Sequence, residues 1–155
     1  MGKLKIVLLG SGLLLFVWLG CSVPEGLQPI SGVEGTLIFQ SEWPDTVRGA
    51  TVIALEQNVM SDWDHPEQYL ISYSDPAVSG DTLMNYFIQL NPGIYCIVVV
   101  GLLEEVSYFI SNITSLQDTT SLPIMFPQND PAANLRLVLV EEEDIRQEPE
   151  WEVVF

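Results

Sequence analysis

The sequence predicts an all-β protein, an antiparallel two-sheet sandwich of about seven strands behind an N-terminal signal helix. Three observations point there. Short segments rich in β-branched and aromatic residues recur from Val33 to Val140, with turn residues between them. Long runs at helical spacing are not evident, and 10 prolines punctuate the chain. Two cysteines, Cys21 and Cys96, could form at most one disulfide, so the core must come mainly from the 48% of residues that are hydrophobic.

The first element is a leader. "MGKLK" is positively charged, and Ile6 to Gly20, "IVLLGSGLLLFVWLG", is almost wholly apolar. A charged start followed by an apolar stretch is the signal-peptide pattern. The stretch is shorter than the roughly 20 residues of a plain membrane-spanning helix, and no Lys or Arg cluster follows it. The residues "WLGCS" resemble the lipobox of bacterial lipoproteins, with Gly20 as the small residue before Cys21. The resemblance implies that Cys21 carries a diacylglycerol thioether, becomes the mature N-terminus and is N-acylated. Ser22 then implies outer-membrane sorting. An uncleaved anchor helix and an ordinary secretory signal remain open as other readings of residues 1–20.

Residues 21–32 read as a flexible tether, because Pro24, Gly26, Pro29 and Gly32 discourage regular structure. At about 3.3 Å per residue its extended reach is on the order of 30 Å.

Residues 33–140 carry the strands. "VEGTLIF" places Val33, Leu37 and Phe39 on one face, with Gly35 between. "ATVIALEQ" is mostly apolar, and "YLISYS" groups Tyr69, Ile71 and Tyr73. "LMNYFIQL" alternates cleanly: Met84, Tyr86, Ile88 and Leu90 inward, Asn85 and Gln89 outward. "GIYCIVVVG", apolar on both faces, reads as a central strand in which Cys96 is a small buried hydrophobe. "VSYFISNI" is a further strand candidate, and "NLRLVLVE" is expected to turn Leu135, Leu137 and Leu139 inward and Arg136 outward. Residues 141–155 form an acidic C-terminal segment whose alternating Trp151, Val153 and Phe155 suit a last edge strand on its own sheet.

The succession "GTLIF", "VRGATVIAL", "LNPGIYCIVV" and "LRLVLVE" resembles the carboxypeptidase regulatory-like domains, which have a transthyretin-like (prealbumin-like) sandwich. The resemblance covers roughly residues 33 to 140. It implies an accessory or binding module without peptidase activity, with Pro92-Gly93 as the tight turn of a hairpin. It lacks the family's usual glycine in the turn before "LMNYFIQL".

The formal charge is −16, and both lysines precede Cys21. Cleavage there leaves three arginines, Arg48, Arg136 and Arg146, facing all 21 acids. Such a surface repels phosphate backbones and anionic headgroups, which argues against nucleic acid, and suits solubility, cation association or docking to a basic partner.

Few residues suggest chemistry. The single histidine, His65, lies in "SDWDHPEQ" with no nucleophile elbow anywhere in the chain, and reads as a surface-loop residue. One His and one internal Cys are too few ligands for zinc. Asp62, Asp64 and Glu67 are weak calcium candidates, set against a solvated acidic loop turned by Pro66. Glu104 and Glu105 are neighbours that would point to opposite faces of a strand, unlike a glycosidase pair. Asn112-Ile113-Thr114 matches a glycosylation sequon, a short pattern common by chance. Trp43 and Trp63 could stack on sugars or peptides; the competing reading has them capping the open ends of the sandwich.

The expectation is a membrane-tethered, non-catalytic envelope lipoprotein without a cofactor, lipid-anchored through Cys21. It would act as a binding or assembly module for a protein or glycan partner. The alternative is a structural accessory subunit of an envelope complex, and behind both stands a hydrolase with an unrecognised site.

Overall fold

The structure, a computed structural model, describes residues 30–40, 42–61, 63–113 and 123–155. Two sheets pack face to face, and the fold is an all-β sandwich. The four-stranded sheet contains β1 (Gly32–Phe39), β5 (Leu83–Gln89), β9 (Ile145–Gln147) and β10 (Trp151–Val153). The six-stranded sheet contains β2 (Gly49–Glu56), β3 (Leu70–Tyr73), β4 (Ala77–Val78), β6 (Gly93–Leu102), β7 (Ile124–Met125) and β8 (Leu135–Val140). Most pairings are antiparallel, but β9 and β10 both run parallel to β1. The last residues of the chain therefore complete the smaller sheet.

The main core lies between the sheets. Alternation along β1 and β5 sends Val33, Leu37, Met84, Tyr86 and Ile88 into it, as the sequence predicts. From the other sheet come Val52, Ala54, Ile97, Val99, Val138 and Val140. Gly35 lies opposite Tyr86, and a Cβ there would come within 2.8 Å of the Tyr86 hydroxyl. Glycine lets that ring lie flat across β1.

A second core lies on the far face of the six-stranded sheet, and it explains why β2 and β6 are apolar on both sides. Ile53, Leu55, Cys96, Val98, Val100 and Leu102 face outward there. Val59 from the 3₁₀ turn Gln57–Ser61 and Phe109 from helix α1 (Val106–Ile113) cover them. Thr51 is buried beside Ser74; its hydroxyl donates to the Ser74 carbonyl at 2.7 Å, and the Ser74 hydroxyl accepts from the Val52 amide.

Four expectations need correction. "VSYFISNI" is a helix, not a strand. Val106, Phe109 and Ile110 recur at helical spacing, and Phe109, 1% exposed, is driven onto the second core. Second, Pro92-Gly93 closes no hairpin: β5 pairs with β1, β6 with β2 and β8, so the turn carries the chain from one sheet to the other. The Tyr95 hydroxyl donates to the Asn91 carbonyl at 3.0 Å and braces that crossing. Third, β3 does not present Tyr69, Ile71 and Tyr73 alike. Its register on β2 jumps from Ser72 to Leu70, which leaves Ile71 bulged out and 47% exposed.

The fourth correction concerns β8. Val138 and Val140 point inward, while Leu137 and Leu139 point outward. Arg136 shares the inward phase because it has partners there. Its guanidinium donates to the carbonyls of Pro149 at 2.7 Å and Glu150 at 3.1 Å, and lies 4.3 Å above the Trp151 ring. It also meets the Glu148 carboxylate at 3.4 Å. This arginine ties the six-stranded sheet to the C-terminal strands.

Candidate functional site

The leader, Cys21 and Asp62 lie outside the described residues. The two candidate tryptophans are placed apart. Trp43 joins the end of the main core, its ring 4.5 Å from Phe39 and 5.5 Å from Phe155. Its indole N–H donates to the Asp81 carbonyl at 2.9 Å. Trp63 meets Phe126 edge to face at 5.7 Å, beside the second core. Opposite sides of the six-stranded sheet thus hold the two, and they do not converge.

Around Trp63, Asp64 and His65 are exposed, and His65 Nδ1 lies 3.2 Å from Glu67. Among the described residues no three His, Cys, Asp or Glu side chains gather to hold a metal ion. Glu104 and Glu105 lie exposed in the bend between β6 and α1, and the Glu105 carbonyl accepts from the Phe109 amide at the start of the helix. Asn112 sits in the last turn of α1, its side chain donating to the Tyr108 carbonyl at 2.8 Å. Thr114 of the sequon lies outside the described residues.

One polar group in the main core is unusual. The Tyr86 hydroxyl is buried and has no hydrogen-bond partner among the described residues. Burial, reinforced by the Glu148 carboxylate and opposed by Arg136, pushes its pKa from 10.0 up to about 12. The folded state therefore holds the neutral phenol more tightly than the unfolded chain does. That contribution is complete below pH 10.0 and disappears as pH rises toward about 12. Tyr86→Phe is expected to leave stability at neutral pH unchanged or raise it, and to flatten the decline over that alkaline interval. Chemical denaturation of both proteins at neutral and alkaline pH checks this; a clear loss at neutral pH would show that the hydroxyl is satisfied.

The feature with most bearing on function is apolar. On the outer face of the six-stranded sheet, Ile94 and Leu139 are direct cross-strand partners, with Leu137 two residues along β8. The turn Gln57–Ser61 and helix α1 shield Cys96 and Val98, deeper on this face, but the trio stays open. Ile94 is 47% exposed, Leu137 55% and Leu139 54%. Immediately after β8 come four consecutive acids, Glu141, Glu142, Glu143 and Asp144, all exposed. Glu143 adopts a left-handed backbone (φ 60°), and its amide donates to the Ser31 hydroxyl at 3.0 Å. This turn is pinned to the start of β1.

Sequence reasoning missed this face because both phases of "LRLVLV" are apolar apart from Arg136. Taking the arginine as the solvent marker inverts the strand. The available signal was the C-terminal segment, whose acids and Trp151 offer an inward arginine a partner.

No family model matches the chain, and neither a curated protein nor a solved structure matches it.

Proposed function

We propose that this chain is a non-catalytic, lipid-anchored envelope protein whose transthyretin-like sandwich presents a docking face to a protein partner at the membrane surface. The anchor rests on the Gly20-Cys21 pair at the end of the apolar leader. About 0.8 kcal/mol per buried methylene makes several acyl chains an effectively permanent tether. The observation that carries the binding role is the trio Ile94, Leu137 and Leu139, an open aliphatic face on an acid-rich chain. Aliphatic side chains offer a sugar neither hydrogen bonds nor a flat ring. Both candidate tryptophans are engaged with other aromatics. A protein partner therefore fits better than a glycan.

The test has two readouts in cells. Fatty-acid analogue labelling is expected in wild type and lost in Cys21→Ser, together with membrane association. A photo-crosslinking residue replacing Leu137 is expected to yield a discrete protein adduct, and one replacing Leu83 to yield none. Undiminished labelling and membrane recovery of Cys21→Ser would remove the anchor. An unlinked position 137 would remove the docking face.

A further inference from the structure

The open leucines of β8 lie on a strand whose second edge is also open. β8 pairs with β6 along one side, and among the described residues no strand pairs with the other. Unpaired edges are usually defended by proline, by lysine, by a bulge or by shortness. "LRLVLV" has six residues, no proline, no lysine, and a continuous register against β6. Its one charged side chain is turned inward to Pro149 and Glu150. The outward positions are leucines where a soluble edge would carry charge. Next to them stands Ile94, so a strand added beside β8 would extend an existing aliphatic row from Ile94 through Leu137 and Leu139.

Charge selects the occupant. The strand runs directly into the four carboxylates at 141–144. The described arginines do not offset them: Arg136 and Arg146 both bind Glu148, and Arg48, whose amide donates to the Leu102 carbonyl, lies at the opposite end of β6 from the Gly93–Val140 pair that leads into them. A second copy of this chain would bring another strongly acidic surface against the first, an unfavourable match. A segment with Lys or Arg at one end and alternating aliphatic residues after it satisfies both features. Antiparallel addition puts its N-terminal end beside Glu141 to Asp144.

We infer that the free edge of β8, with Leu137, Leu139 and the adjoining 141–144 carboxylates, accepts by strand addition an extended segment of a partner protein that is basic at its N-terminal end and alternately aliphatic thereafter. The inference rests on the docking role proposed above and names the partner's chemistry. Backbone hydrogen bonds along the edge supply affinity. The leucine row selects for aliphatic residues at alternate positions, and the carboxylates set direction.

The probe is a fluorescent peptide, Lys-Lys-Thr-Val-Thr-Val-Thr, titrated with the full chain in mild detergent and read by anisotropy. Saturable binding is expected, weakening as salt is raised through the range where the Debye length shortens. The double substitution Leu137→Gln with Leu139→Gln should weaken it at least about tenfold, and so should Glu141→Gln with Glu142→Gln, which leaves the leucines intact. Leu83→Gln, on the outer face of β5, should leave it unchanged. A peptide with Glu in place of both Lys should not bind. Failure of the basic peptide to bind, equal binding by the acidic one, or indifference to both double substitutions would overturn the inference. Concentration-dependent self-association in sedimentation, abolished by the leucine double substitution, would overturn it too, because the occupant would then be a second copy. Acylation at Cys21 is read separately, so loss of the anchor and loss of the edge are distinguishable.

Discussion

Removing residues 151–155 is expected to abolish cooperative folding, or to lower the melting temperature by roughly 15 °C or more. The segment is short, but it contributes three inward side chains. Trp151 and Val153 are buried in the main core, and Phe155 lies against Phe39 with ring centroids 6.1 Å apart. Gly101 marks how closely that last ring is held: a Cβ there would come within 2.8 Å of it. Burying one large apolar side chain contributes roughly 1.5–3 kcal/mol, so the three together approach the whole stability of a small domain. Truncation also strips the aromatic face from under Arg136 and uncovers one side of Trp43. Circular dichroism melts of the full and shortened chains give the answer. A melting temperature within about 3 °C of wild type would mean that the chain end contributes little to the sandwich. Phe155→Ala alone should fall between the two.

Phe109→Ala is the second large effect, at about 3–5 kcal/mol. Phe109 is the main side chain that α1 lays on the second core, and its ring meets Tyr73 edge to face at 5.7 Å. An eight-residue helix has little stability of its own and depends on that contact. The loss should be regional as well as global. Amides of α1 and β3 should exchange faster with solvent, while those of β1 and β5, on the opposite side of the main core, should change less. Phe109→Leu, which keeps most of the volume, should cost much less. Unchanged exchange in α1 would mean that other contacts hold the helix.

Much of the sandwich was legible. In β1 and β5 one face is apolar and the other polar, so the two-residue period alone assigned Val33, Leu37, Met84, Tyr86 and Ile88 to the core. In β6 the lack of alternation correctly marked a central strand. Errors gathered where local pattern is ambiguous. "VSYFISNI" has residues that suit a strand, yet Val106 and Phe109 recur at helical spacing, and a second core awaits them. "LRLVLV" is apolar in both phases, and its polar marker has a private partner ten or more residues on. The candidate docking face was hidden by that same inversion.

From residue order alone came the all-β class, the positions of β1, β2, β3, β5, β6, β8 and β10, and the inward faces of β1 and β5, because alternation is a local property written in consecutive side chains. Folding decided which way β8 faces, which sheet each side of the Pro92-Gly93 turn joins, and that the chain's last strands lie parallel on β1. Those outcomes depend on partners distant in sequence: Arg136 turns inward because Trp151 and the carbonyls at 149 and 150 are there to receive it. Its inward turn is what leaves Leu137 and Leu139 facing out.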